Sequence, residues 1–93
     1  MTKKIQTPWG EAQETIEYKK GFYFYETAGH GGYHLSKEYN QIIPKAYRNE
    51  DGWYEEDGDA LIVQYFHYDI LQPFSKDYIR EELENYLGKK VED

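Results

Sequence analysis

The segment best suited to chemistry runs from Thr27 to Gly32 and surrounds one histidine with three glycines. Glycines let backbone amides approach a ligand closely, and an exposed imidazole can exchange a proton near neutral pH. The segment therefore predicts a ligand loop formed by Thr27, His30, Gly31 and Gly32. The alternative is a hairpin turn in which the histidine bonds its own backbone. A phosphate-binding P-loop is excluded, because the Gly-Lys-Ser/Thr ending is absent.

A second candidate site is the acidic segment from Asn49 to Ser75, which holds seven carboxylates and no Lys or Arg. The rest of the chain has eleven acids and eleven bases, so this segment supplies the whole formal charge of −7. Such segregation predicts one strongly negative surface, which faces either solvent or a basic partner. The residues expected to bind a partner are Glu50, Asp51, Trp53, Glu55, Glu56, Asp57 and Asp59.

The carboxylates at positions 55 to 57 link these two segments. Paired carboxylates can perform acid/base work when burial separates their pKa values, and Glu55 or Glu56 could orient His30. The competing interpretation places these acids in solvent, with Asp57 capping a helix N-terminus. No nucleophile completes a catalytic set, so no catalytic residue is predicted.

Metal and cofactor chemistry is not predicted either. The chain has no cysteine, which removes thiolate ligands and fits a reducing compartment. His30, His34 and His67 are the three candidate imidazoles, but Gly31 and Gly32 interrupt the helical spacing that would bring the first two together. The acidic run also lacks the alternating oxygen ligands of an EF-hand loop. We therefore expect no metal site and no cofactor.

Local patterns predict three strands, at residues 13–18, 21–27 and 33–35. The second is dense in aromatic residues, which are favoured on a pleated surface, and the glycines after it should turn the chain. Ahead of these strands, the block Thr7-Pro8-Trp9-Gly10 predicts a tight turn whose tryptophan packs on the core. Contact of Trp9 with a ligand or partner is the alternative.

The remaining patterns predict helices. One runs from Ser36 to Ile42, and another runs from a cap at Ser75 to Gly88 with apolar residues at helical spacing. The apolar run 60–71 fits a helix or a strand, and we favour a helix because of its length and of Asp57 and Asp59 as caps. The predicted fold is α+β, a small antiparallel three-stranded sheet with two or three helices packed on one face.

Composition excludes several classes of protein. A chain of 93 residues is the size of a single domain, spanning 1–93. The negative charge argues against direct nucleic-acid binding. The N-terminus leads into no apolar core, and no stretch reaches the roughly 20 apolar residues of a membrane span. We therefore expect a cytoplasmic protein with no membrane contact.

Three blocks in order, Thr7–Gly10, His30–Gly32 and Gly52–Asp57, resemble a small uncharacterised domain found in bacteriophage and plasmid reading frames. The resemblance covers residues 5–70 and leaves 71–93 as a C-terminal helix and tail. It implies a mobile genetic element as the setting, and it implies no activity or catalytic residue.

Two functions from different classes are consistent with these features. The first is an accessory protein that binds a basic host protein, inhibiting a defence nuclease such as a CRISPR effector or restriction enzyme by occupying its nucleic-acid groove. The acidic segment favours this function, because a compact negative surface complements a groove that binds phosphates. The alternative is a small catalytic or ligand-sequestering domain centred on the His-Gly-Gly loop.

Overall fold

The chain begins with a short hairpin and continues into a larger antiparallel sheet, in a computed structural model that describes residues 4–92. The hairpin pairs β1 (Gln6–Thr7) with β2 (Gly10–Glu11). The larger sheet is a meander with strand order β3-β4-β5-β6. Its strands are β3 (Glu14–Lys19), β4 (Phe22–Glu26), β5 (Gly31–Leu35) and β6 (Trp53–Glu55).

Four helices complete the described part of the chain: α1 (Lys37–Asn40), α2 (Ala60–Phe66), α3 (Tyr68–Leu71) and α4 (Lys76–Leu87). Ser75 caps α4 by accepting a hydrogen bond from the backbone N–H of Tyr78, and Gly88 ends it in a left-handed conformation. Both ends of α4 were predicted from the sequence. Between residues 4 and 92, no helix has the length and apolarity needed to cross a bilayer.

The predicted three-stranded sheet was wrong, because the larger sheet has four strands and a separate two-stranded sheet precedes it. The missing strand is β6, whose three residues lie within the acidic segment, for which the sequence predicted a negative surface and no strand. β6 is a strand because it pairs with β5, which lies far from it in the sequence. Local sequence patterns do not reveal such a long-range pairing. The architecture is nevertheless α+β, with four helices rather than two or three.

The helix predictions differ from the structure at two places. The run 60–71 is helical but is divided at His67, whose imidazole Nε2 lies 2.9 Å from the backbone oxygen of Tyr39. Because a carbonyl only accepts, this nitrogen carries the proton.

The cap predicted for α2 is also absent. Asp59 holds the N-cap position, but its carboxylate bonds other residues.

The core lies on one face of the larger sheet. Phe22, Tyr33, Leu35 and Tyr54 share this face through the register of β4, β5 and β6, and all four are buried. The helix α2 packs against β5 and β6, and α4 packs against α2. Apolar burial on this side stabilises the fold and directs the alternate residues of each strand to the opposite face.

A buried tyrosine fixes the long connection between α1 and β6. The Tyr54 hydroxyl donates to Asn40 Oδ1 (2.5 Å) and accepts from the backbone N–H of Asn49 (2.9 Å). Asn40 in turn donates to the Asn49 carbonyl at 2.8 Å. Burial raises the pKa of Tyr54 to about 12, so the hydroxyl keeps its proton at neutral pH. This network holds the connection against the end of the sheet.

We expect Tyr54→Phe to lower the free energy of unfolding by about 1–3 kcal/mol, because it leaves Asn40 Oδ1 and the Asn49 N–H without their partner. Urea unfolding followed by circular dichroism measures the change. The matched control is Tyr23→Phe, since the Tyr23 hydroxyl bonds no residue among 4–92. Equal stability of the two variants would contradict the role given to the network.

Candidate functional site

The sheet face opposite the helices carries a row of aromatic side chains. Burial of Tyr54 on the helix side directs its neighbour Trp53 to this other face. The Trp53 ring lies 4.3 Å from the ring centroid of His34 and 5.7 Å from that of Tyr25. Tyr23 stacks on Tyr25 at 5.8 Å. The row therefore runs across β4, β5 and β6, outside the helix-covered core.

His34 belongs to this row as an uncharged ring. Burial lowers its pKa below the usual value, and the nearby carboxylate of Asp51 opposes that shift without reversing it. The imidazole is therefore mainly neutral at pH 7 and packs against Trp53 as an aromatic group.

Trp9 extends the row from the N-terminal hairpin. Thr7 Oγ1 accepts a hydrogen bond from the backbone N–H of Trp9 and donates to the Gly10 carbonyl, which closes the turn around the tryptophan. The indole lies over Gly32, where a Cβ atom would come within 2.3 Å of Trp9 Cη2. It also meets Trp53 edge-on at 5.7 Å. Trp9 thus anchors the hairpin to the sheet face opposite the helices, not to the core as predicted, and forms one wall of an open surface.

The three blocks that the sequence singled out therefore converge at one place. The turn at residues 7–10 supplies a ring, Gly32 on β5 supplies the space beneath it, and the segment 52–57 supplies a second ring and carboxylates. Their meeting explains why a residue without a side chain is needed at position 32.

A groove with a cavity volume of about 630 Å³ opens beside the two tryptophans. Four carboxylates line it, and a single guanidinium accompanies them. We call it the acidic groove. Its acids are Glu50, Asp51, Glu55 and Asp59, its rings are Trp9 and Trp53, and Pro8, Arg48 and Asn49 complete it.

Arg48 neutralises only part of this charge. Its guanidinium donates to the backbone carbonyls of Ile43 (3.0 Å) and Gln41 (3.3 Å) and lies 3.6 Å from Glu50 Oε1. These contacts direct the cation toward the loop backbone and one rim carboxylate. The acidic groove keeps an excess of negative charge beside the indole rings.

Two of the groove carboxylates also have structural contacts. Asp59 accepts from Asn49 Nδ2 at 2.9 Å through one oxygen and from the Tyr86 hydroxyl at 2.8 Å through the other. Asp51 Oδ1 accepts from the backbone N–H of Trp53 at 3.0 Å. Variants at these two positions would therefore alter the fold as well as the charge. Glu50 and Glu55 are the groove acids that can be changed with the least structural effect.

The other two predicted partner-binding acids lie outside the acidic groove. Glu56 is on the opposite face from Glu55, near the Cα of Gly31. Asp57 lies in the turn after β6, beside His30 rather than beside the tryptophans. Of the seven residues predicted from the sequence, five line the groove: Glu50, Asp51, Trp53, Glu55 and Asp59.

Trp9 was predicted chiefly as a core anchor. Its place in the groove depends on packing over β5, a strand that is distant in the sequence.

Only part of the predicted ligand loop is a loop: Thr27 to His30 form an ordered hairpin connection, whereas Gly31 and Gly32 belong to β5. Thr27 is buried, and its Oγ1 donates to the His30 carbonyl (2.7 Å) and accepts from the His30 N–H (3.1 Å). The backbone of His30 is therefore held, while its imidazole is exposed. The three histidines do not converge, since His67 lies in the core and His34 lies against Trp53. The structure brings His30 to Glu55 and Asp57 instead.

We expect Gly32→Ala to displace Trp9 and to lower the free energy of unfolding by about 1–3 kcal/mol. A methyl group there meets the Trp9 ring and, at 2.5 Å, the backbone oxygen of Tyr54, which cannot move without disturbing the sheet. Tryptophan fluorescence should shift to the red, and urea unfolding gives the stability. Gly29→Ala is the control, because its Cβ meets nothing within 4 Å. Unchanged emission in Gly32→Ala would contradict the packing.

Comparison with known proteins places the chain among uncharacterised domains. No curated protein and no solved structure matches it. One family model, described as a domain of unknown function, matches residues 2–93. This match confirms the resemblance to an uncharacterised domain and extends beyond the residues 5–70 on which it was based. The chain belongs to the DUF7007 family.

Proposed function

We propose that this protein acts by binding a basic protein partner through the acidic groove. The partner class that we propose is a nucleic-acid-processing enzyme of the bacterial host, such as a CRISPR effector or a restriction enzyme, inhibited in the cytoplasm by a phage or plasmid protein. One observation carries the proposal: four carboxylates surround two tryptophans that meet edge-on at the surface.

This combination suits a cationic side chain. A lysine ammonium or an arginine guanidinium over an indole face gains a cation–π interaction, for which tryptophan is the best ring. Glu50 and Glu55 can then pair with the same cation from either side. Arginine and aromatic residues are also enriched where interfaces derive most of their affinity. The acidic groove therefore favours a protruding Lys or Arg over an apolar partner.

A nuclease is a suitable source of such side chains. Enzymes that hold nucleic acid carry Lys and Arg to neutralise phosphates spaced about 3.4 Å along each strand. A small acidic protein can occupy that surface by charge complementarity, and its field would speed association in a salt-dependent manner. The segregation of net charge into residues 49–75 supports this arrangement, because it concentrates the field on one part of the molecule.

The convergence of His30, Glu55 and Asp57 favours a second candidate function, a ligand-sequestering domain centred on the His-Gly-Gly loop. The loop is rigid, and its imidazole faces outward beside two carboxylates. This function would require a small ligand in place of a protein partner. The two candidates share Glu55, but His30 and Asp57 lie outside the acidic groove, so His30→Ala separates them.

We expect the double variant Glu50→Lys and Glu55→Lys to weaken partner binding about 100-fold, because like charges then face each other across the interface. Capture from bacterial lysate identifies the partner by mass spectrometry, and titration of the purified pair gives Kd at low and high salt. The wild-type complex should weaken as salt rises.

The control is Glu14→Lys with Glu81→Lys, which changes the net charge equally at exposed positions away from the acidic groove. This variant should retain affinity within about threefold, since distant charges are screened. Equal losses in both double variants would indicate a general charge effect and would contradict the proposal. Loss of function in His30→Ala alone would favour the second candidate.

A further inference from the structure

The register of β5 and β6 places three metal-ligating side chains at one end of the sheet. Gly32 pairs with Glu55, and the Glu56 N–H donates to the Gly31 carbonyl at 2.9 Å, which continues the ladder. One further step sets His30 opposite Asp57. Residues two apart on a strand share a face, so Glu55 and Asp57 both lie on the side of His30. One ligand atom from each of the three lies within 4.8 Å of the others.

These side chains are not engaged elsewhere. Among residues 4–92, no hydrogen bond or ion pair involves the imidazole of His30 or the carboxylates of Glu55 and Asp57. The other acids of the segment differ in this respect. Asp59 and Asp51 accept hydrogen bonds, and Glu50 lies beside Arg48. Two carboxylates therefore converge with an imidazole, and no described Lys or Arg offsets their mutual repulsion.

We propose that His30, Glu55 and Asp57 bind one divalent transition-metal ion, of which Zn²⁺ is the best-fitting example. Imidazole and carboxylate bind Zn²⁺ at about 2.0–2.2 Å, so the donor atoms around one tetrahedral ion lie about 3.4 Å apart. The three donor atoms here lie within 4.8 Å of one another, and rotation of the exposed His30 and Asp57 side chains can bring them to that spacing. Three protein ligands leave a fourth position for water or a ligand atom, as in open zinc sites. The imidazole favours a transition metal over Mg²⁺ or Ca²⁺.

This site is distinct from the histidine set considered from the sequence. Its carboxylates come from β6 and the turn after it, about 25 residues further along the chain than His30. It also goes beyond the binding of a basic partner, because the ion requires no second protein. Glu55 lies in both sites, whereas His30 and Asp57 lie outside the acidic groove. Variants at His30 and Asp57 therefore test the metal site, which the second candidate function would also use, without altering the acidic groove.

The test is isothermal titration of the untagged full chain with ZnCl₂. The wild type should bind one ion per chain, and His30→Gln and Asp57→Asn should each weaken binding by at least roughly tenfold. The control is Glu56→Gln, which removes the carboxylate between the two ligands on the opposite face and should leave the affinity unchanged. Circular dichroism establishes that each variant is folded.

Titration of ¹⁵N-labelled wild-type protein with MnCl₂ provides a second measurement that requires no variant. Paramagnetic broadening should be strongest for the amides of His30, Gly31, Glu55 and Asp57 and weakest at the turn between β3 and β4, which lies at the other end of the sheet. Failure to bind either ion saturably would overturn the assignment. Unchanged zinc affinity in both ligand variants, or broadening centred elsewhere, would overturn it equally. Loss of metal binding with retained partner binding would leave the acidic groove as proposed.

Discussion

The pairing of β5 with β6 is the interaction on which the rest of the structure depends. Its register buries Tyr33 and Tyr54 on the helix side and turns Trp53 and Glu55 to the opposite face. The same ladder sets the His30 loop beside the turn that follows β6. A slip of one residue would exchange the two faces of β6, expelling Tyr54 from the core and burying a carboxylate. Register is therefore specified by the core, and the site follows from it.

Trp9 and Gly32 extend this constraint to the N-terminal hairpin. The indole can lie against the sheet only where a strand residue has no side chain, and Gly32 provides that position. Its contact with Trp53 then brings a ring from the hairpin to the rim of the carboxylate cluster. Two rings with few rotatable bonds form a preorganised surface, which reduces the entropy lost on binding.

The acids of residues 49–59 divide into different roles despite their similar chemistry. Asp51 and Asp59 stabilise the loop through hydrogen bonds to Trp53, Asn49 and Tyr86. The Glu55 and Asp57 carboxylates have no such partners among the described residues. Asp51 and Asp59 thus hold the loop that presents Glu55 and Asp57. Solubility alone would not require some acids to be hydrogen-bonded and others to be left without partners, because any exposed acid contributes to solubility.

Local sequence signals were sufficient for some elements and not for others. The aromatic density of β4 and the Ser75 and Gly88 ends of α4 are contained in a few consecutive residues, and both elements were predicted. The strand β6 is three residues long and surrounded by acids, so its identity depends on a partner some twenty residues earlier. The division of residues 60–71 arises from the tertiary contact between His67 and the Tyr39 carbonyl.

The same distinction holds for the candidate site. The stretch without Lys or Arg can be recognised in the sequence, and five groove residues were predicted from it: Glu50, Asp51, Glu55 and Asp59, with Trp53 among them. The contribution of Trp9 and the meeting of His30 with Asp57 required strand pairing across the fold. Spacing along the chain could only test pairs such as His30 and His34, which the structure separates. Long-range register was therefore the missing information.

The most direct test of the central claim is to observe the two indole N–H signals of Trp9 and Trp53 by ¹⁵N NMR during titration with a short Lys- and Arg-rich peptide. The account predicts that both signals shift saturably and together, because the cation binds beside two rings that are in contact with each other. The shifts should diminish as ionic strength rises from about 0.05 to about 0.5 M, since salt screens the surrounding carboxylates. Peptide binding that leaves both indole signals unmoved would contradict the account.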